Sequence, residues 1–178
     1  MTMRALVFAV IAGAAGIAGV SSAQQPGNIE DERFENEIPW MEVQAALPDF
    51  PRQEDLIALK GNFGARQYWI DANSLKIDAD GVVRFTMIIN ADDVRNTIYE
   101  GVRCETKEHK VYSVGRDNGT WGRVQASKWQ RITNRGFLGY HDMLYKDFFC
   151  PGNQIVASKD EALDALKRGI HPRSEPRR

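Results

Sequence analysis

Ser74-Leu-Lys-Ile-Asp78, Ala79-Asp80-Gly81 and Val82-Val-Arg-Phe-Thr-Met-Ile-Ile-Asn90 together decide the fold. Asp-Gly between two apolar-patterned runs is a strong hairpin signal, because the tight turn needs backbone angles that these residues adopt readily. In the second run Val83, Phe85, Met87 and Ile89 share one face, while Arg84 and Thr86 point the other way. Working outward, Gln67-Tyr-Trp-Ile-Asp71 reads as a further short strand closed by an Ala-Asn turn. A polar loop at 91–95 leads to a strand over 96–106, another follows at 110–115, and Asn118-Gly119 makes a tight turn before Trp121. On the N-terminal side, 54–60 reads as a short helical or extended stretch, and Pro48-Asp-Phe-Pro51 as an extended turn. Short strands joined by hairpins predict an antiparallel sheet.

Helix enters late. Residues 137–149 lack strand alternation, and Phe137, Leu138, Tyr140, Leu144, Tyr145, Phe148 and Phe149 cover one broad arc of a helical wheel. Asp142 and Lys146 lie on the other side, four apart, and Pro151 ends the run. A last helix is expected from about Lys159 to Arg168, with Ser158 and Glu161 as a capping box and Gly169 as its C-cap. The fold class is therefore α+β: a single antiparallel sheet of about five to six strands with a C-terminal helix packed on it.

Residues 1–23 read as a cleavable secretory signal. Arg4 supplies the positive start, 6–20 is apolar and diluted by glycine, and Ser21-Ser22-Ala23 presents small residues for cleavage after Ala23. The apolar run is about 15 residues, against the roughly 20 needed to span a bilayer, and nothing later is long and apolar enough to do so. Gln24, not Cys, would head the mature chain, so no lipid anchor is indicated. The rest divides into an acidic flexible leader at 24–39, the main domain at 40–156, the C-terminal helix at 157–170 and a disordered basic tail at 171–178. The formal net charge of −1 and a pI near 6.3 give no nucleic-acid surface.

Export gives the two cysteines their meaning. In an oxidising compartment Cys104 and Cys150 read as a disulfide, worth about 4 kcal/mol in the chain-entropy picture for a loop of that length. A redox or metal role would call for C-x-x-C spacing or a matching His pair, and neither is present.

Several residues could carry chemistry. His141-Asp142 resembles the adjacent pair of metal phosphohydrolases, but the chain has only three histidines, and one of them, His171, falls in the tail. His141 sits in the middle of the apolar arc, where a lone His is commonly a hydrogen-bonded core residue. In Ile98-Tyr-Glu-Gly-Val-Arg-Cys104, alternation puts Glu100 on the inward face with Ile98, Val102 and Cys104. A carboxylate facing the core needs a partner, and Arg84, Arg103, His141 and Tyr145 are candidates. Glu100 with Arg103 or His141 could act as a general acid or base; the alternative is a structural ion pair. Tyr99, Trp121 and Trp129 form an aromatic set with Tyr68, Trp69 and Tyr112, and Trp121 and Trp129 lie among Arg116, Arg123, Lys128 and Arg131. They could line a groove for sugars or anionic polymers, or simply cover the sheet. No metal and no cofactor are expected, and no G-x-S-x-G, H-E-x-x-H, phosphate-binding loop or dinucleotide fingerprint is present.

The run Tyr99-Glu100-Gly101-Val102-Arg103-Cys104 resembles the cryptic neisserial protein 1-like domain, a group of exported proteobacterial proteins without an established activity. The likeness extends through Asp71-Ala-Asn-Ser-Leu75, Asp80-Gly-Val-Val-Arg-Phe85, Lys110-Val-Tyr112, Gly119-Thr-Trp121, Trp129 and Asp147-Phe-Phe-Cys150, covering roughly 40–156. The resemblance supports the cysteine pairing and supplies no catalytic residues. Over about 67–90 the chain is also similar to surface-adhesin protein E domains, small antiparallel sheets with a packed helix, some of which bind host matrix proteins.

The function expected from these readings is a non-enzymatic binding or accessory domain of the periplasm or cell surface, with an envelope protein or glycan as its partner. The alternatives are a hydrolase-type enzyme using Glu100 and, last, a lysozyme-inhibitor-like protein, for which the Ser/Gly-rich inhibitory loop is missing.

Overall fold

A computed structural model describes residues 39–61, 63–92, 94–133 and 139–174. The signal segment, the acidic leader up to 38 and the last four residues lie outside the described residues. Among those described, no helix is long and apolar enough to cross a membrane.

Seven antiparallel strands form one sheet: β1 (Leu56–Ala58), β2 (Gln67–Ile77), β3 (Val82–Ala91), β4 (Val94–Arg103), β5 (Glu108–Gly115), β6 (Trp121–Arg123) and β7 (Gln130–Arg131). The first six lie in sequence order, each beside the next, and β7 pairs with the start of β5. The Asp80-Gly81 hairpin is present, with Gly81 at φ 75. The polar loop expected at 91–95 is tighter than that: Ala91 pairs directly with Val94.

Two expected strands are one. β2 runs through from 67 to 77, and its register against β3 shifts between Asp71 and Lys76. Side chains fill the gap. The Asp71 carboxylate accepts the backbone N–H groups of Asn73 and Ser74, and the Ser74 hydroxyl accepts the Thr86 N–H at 2.8 Å while donating to the Asp71 carbonyl. The Ala-Asn pair bulges where a turn was expected, because these bonds stand in for the missing ladder.

The face carrying Val83, Phe85, Met87 and Ile89 packs against the helices. Gly139–Met143 (α1) continues into a π-helical stretch, Leu144–Phe149, which spreads Leu144, Tyr145, Phe148 and Phe149 into the core. Phe85 and Phe149 stack at 5.0 Å. Cys104 and Cys150 are joined 46 residues apart, with Cα atoms at 5.5 Å, tying the end of β4 to the end of the π-helix. Helix α2, Lys159–Arg168, begins and ends as its sequence demands. Ser158 accepts the Glu161 N–H, Glu161 accepts the Ala157 N–H, and Gly169 takes the left-handed conformation at φ 92. Residues 171–174, read from sequence as the start of the tail, are among the described residues. His171 is buried, its N–H bonds the Asp147 carbonyl at 2.7 Å, and its ring pairs with Glu161.

The opposite face is covered too, by an extended strap at 40–52. Lacking any period, the strap holds on through side chains: the Trp40 indole donates to the Asp80 carbonyl, the Val43 N–H to the Asp80 carboxylate, and the Trp121 indole to the Pro48 carbonyl.

Candidate functional site

Three elements bring Glu100, His109 and His141 together on the helix face. β4 points Glu100 inward, in register with Phe85, as its alternation requires. β5 places His109 opposite Val102, one step diagonal to Glu100. The buried face of α1 lowers Tyr140 and His141 onto both. His141 Nε2 lies 2.7 Å from Glu100 Oε2, and the Tyr140 hydroxyl donates to the same oxygen at 3.2 Å. The His109 and His141 rings stack at 3.7 Å and 25°. Tyr140 lies 4.0 Å from His141, Tyr68 5.4 Å from Tyr140 and Phe63 4.8 Å from Tyr68, so five rings run in a row beneath the helices.

Glu100 is 0 %, His141 1 % and His109 5 % exposed. Burial pushes the His109 imidazolium down to about 4, with His141 acting the same way, so His109 is neutral at neutral pH. Burial and the neighbouring Glu100 carboxyl raise the Tyr140 hydroxyl well above an ordinary phenol, which keeps it a donor. A carboxyl–imidazole pair of this kind can hold or pass a proton, and the two imidazoles with the carboxylate could ligate a metal ion. These side chains line none of the described clefts. One described cleft, about 620 Å³, lies between the strap at Pro48, Phe50 and Arg52 and the bulge of β2.

Arg103 does not join Glu100. Three positions along a strand is an odd step, so Arg103 emerges on the strap face, where its guanidinium lies 3.9 Å over the Trp40 ring. Tyr145 reaches the Cys104 carbonyl and Asn153, not Glu100. Arg84 is also on the strap face. It is 0 % exposed and held by Asp78 at 2.6 Å and Asp80 at 2.7 Å, with Glu42 at 3.8 Å and the Tyr112 ring beside it. Burial opposes its charge, but these carboxylates outweigh that and raise its pKa.

Tyr99, Trp121 and Trp129 converge on this same face. Tyr99 is buried, its phenol pushed up to about 12 by burial, and lies 6.1 Å from Trp121. Trp121 meets Phe50 of the strap, and Trp129 meets Trp40 edge-on at 5.9 Å. Glu42 sits beneath them, accepting from Lys110 at 2.7 Å, Tyr112 at 2.9 Å and Trp129 at 3.3 Å. Burial works against the Glu42 charge, but these bonds win and lower its pKa. Arg116 stays exposed at the margin, donating to the Trp121 carbonyl. Outside, the strap leaves Trp40, Met41, Val43 and Leu47 in solvent.

The run Tyr99–Cys104 thus serves both faces. Tyr99 packs on the strap face against Tyr112 and Trp121, Arg103 meets the strap, Glu100 and Cys104 meet the helices, and Gly101 leaves the space that Tyr112 fills. A Cβ there would lie 2.8 Å from Val82 Cγ1 and 3.0 Å from the Tyr112 ring. His109 and Glu42 are the residues that sequence reasoning missed. Starting β5 at Glu108 would have put His109 on the inward face with Val111, whereas nothing local marks Glu42.

A hairpin-ordered sheet, helices on one face, a strap on the other and a single cross-link define a disulfide-bonded α+β domain. Residues 35–167 match the CNP1-like family, and the chain belongs to it. No curated protein and no solved structure matches the chain.

Proposed function

We propose that the protein is exported to the periplasm or cell surface, its signal cleaved after Ala23, and works there as a non-enzymatic binding or accessory domain for an envelope protein or glycan. One observation carries the choice of binding over catalysis. The acid–base group of the helix face, Glu100 with His141, is sealed in the core and opens onto none of the described clefts. Acid–base catalysis needs the reacting atom within hydrogen-bond reach of the base. The strap supports the same reading from the other side, since Trp40, Met41, Val43 and Leu47 stand exposed, with Arg103 and Trp129 against Trp40. Aromatic and apolar groups next to cations suit a partner that is part apolar and part polar.

Cross-linking of the purified protein in periplasmic extract, alongside binding to envelope glycans, tests the reading. A reproducible partner lost on Met41→Asp and Leu47→Asp is expected. No partner and no glycan shift would end it. N-terminal sequencing of the periplasmic fraction is expected to begin at Gln24, and an uncleaved chain would refute the export step.

A further inference from the structure

We propose that Glu100, His109 and His141 form a binding site for one zinc-class divalent cation, held inside the domain between β4, β5 and α1. The three side chains each offer one ligand atom, and all three atoms lie within 4.8 Å of one another. Two imidazoles and a carboxylate are the donor set that suits zinc and its first-row neighbours, with a fourth position left for water.

A second observation is independent of the clustering. Glu100 Oε1 and His109 Nδ1 have no hydrogen-bond partner, although both residues are more than nine-tenths buried. Buried polar atoms are ordinarily satisfied, and an unsatisfied carboxylate oxygen in a core is costly. A cation among these side chains offsets the carboxylate charge and gives an imidazole lone pair an acceptor. The ligands stand on rigid elements, and the Tyr140 hydroxyl orients the carboxylate from behind, as outer partners of metal ligands do.

Binding breaks the 2.7 Å hydrogen bond between His141 Nε2 and Glu100 Oε2. The cation takes the place of the proton, which moves to His141 Nδ1 or, where that nitrogen already carries one, to solvent. Tetrahedral ligands at about 2.0–2.1 Å from zinc stand roughly 3.3 Å apart, so this pair opens by about 0.6 Å while the His109 nitrogen draws closer. Because these side chains line none of the described clefts, the ion is structural and slow to exchange.

The test uses the purified full chain stripped with a chelator. One equivalent of zinc per chain is expected after dialysis, with a rise in Tm and a visible absorption band with cobalt. Glu100→Gln and His109→Gln should each weaken zinc at least ten-fold and abolish the band, whereas His171→Ala, at the third histidine, should change neither. Failure of the stripped wild-type chain to retain zinc overturns the proposal, whatever the variants do. So does retention that survives Glu100→Gln and His109→Gln, which would place the ion elsewhere on the chain.

Discussion

The two faces of one sheet each bury a charge-bearing side chain at zero exposure, and they treat it in opposite ways. On the strap face Arg84 is enclosed by Asp78, Asp80 and Glu42, so its charge is matched in place. On the helix face Glu100 has His141 and Tyr140 on one oxygen, and the other has no hydrogen-bond partner. On the strap face Arg84 Nε, Thr86 Oγ1 and the Tyr99 hydroxyl also lack a hydrogen-bond partner, but the Arg84 charge is matched by carboxylates and fixes structure, whereas an open carboxylate oxygen beside two imidazoles retains capacity to bind a cation. The strap face therefore reads as architecture and the helix face as a place where something can be taken up.

The largest effect that could break this comparison is expected at Arg84. Arg84→Ala strands Asp80, itself buried, and should cost about 3–5 kcal/mol in a urea titration. Glu100→Gln keeps the bonds to Tyr140 and His141 and should cost only about 1 kcal/mol without metal. Equal losses would show that the two faces do not differ in kind.

Acid titration of the metal-free chain addresses the helix face next. The folded state holds His109 near 4 and the unfolded chain near 6.5, so between these values the unfolded chain binds more protons. Stability is whole above about pH 6.5 and should fall by on the order of 3 kcal/mol as pH drops toward 4. His109 faces Glu100 and His141, so the slope is to be compared in His109→Gln, where it should flatten. The strap face should respond lower. Glu42 and Asp80 have depressed carboxyl pKa values, so their contribution is present above the ordinary carboxylate range and is lost only below it.

Gly101→Ala places a methyl against Val82 and Tyr112 and should cost about 1–3 kcal/mol, read as a lower Tm. Tyr112→Phe, which removes one bond to Glu42, should cost about 1 kcal/mol.

How much of this was legible depends on the range of the contacts. The Asp80-Gly81 hairpin, the inward side of β3 and the Ser158–Glu161 cap are local events, and residues within five positions encode them. Glu100 could be placed inward by alternation alone, and the same alternation excludes Arg103 as its partner. The strap was not legible. Glu42 meets Lys110, Tyr112 and Trp129 across 68, 70 and 87 positions, and an extended segment carries no period to announce such partners. The β2 bulge was missed because Asp71 and Ser74 act through side-chain bonds that mimic a turn in sequence. In the Glu100–His109–His141 cluster, period placed Glu100 and His141 inward and His141 was among the expected partners of Glu100, whereas His109 was missed because the strand was expected to begin one residue after it.

The distances that tie down the strap also set an order of events. A chain is made from its N-terminus, and each strand from β1 to β6 pairs with its immediate successor, so the sheet can zip up as it emerges. The strap comes first and must wait longest, because Trp129 is among the last partners to arrive. In that interval Arg84 is served only by Asp78 and Asp80, six and four residues away in its own hairpin. The hairpin brings its own counterions, so the Arg84 charge is already matched before the strap closes over it.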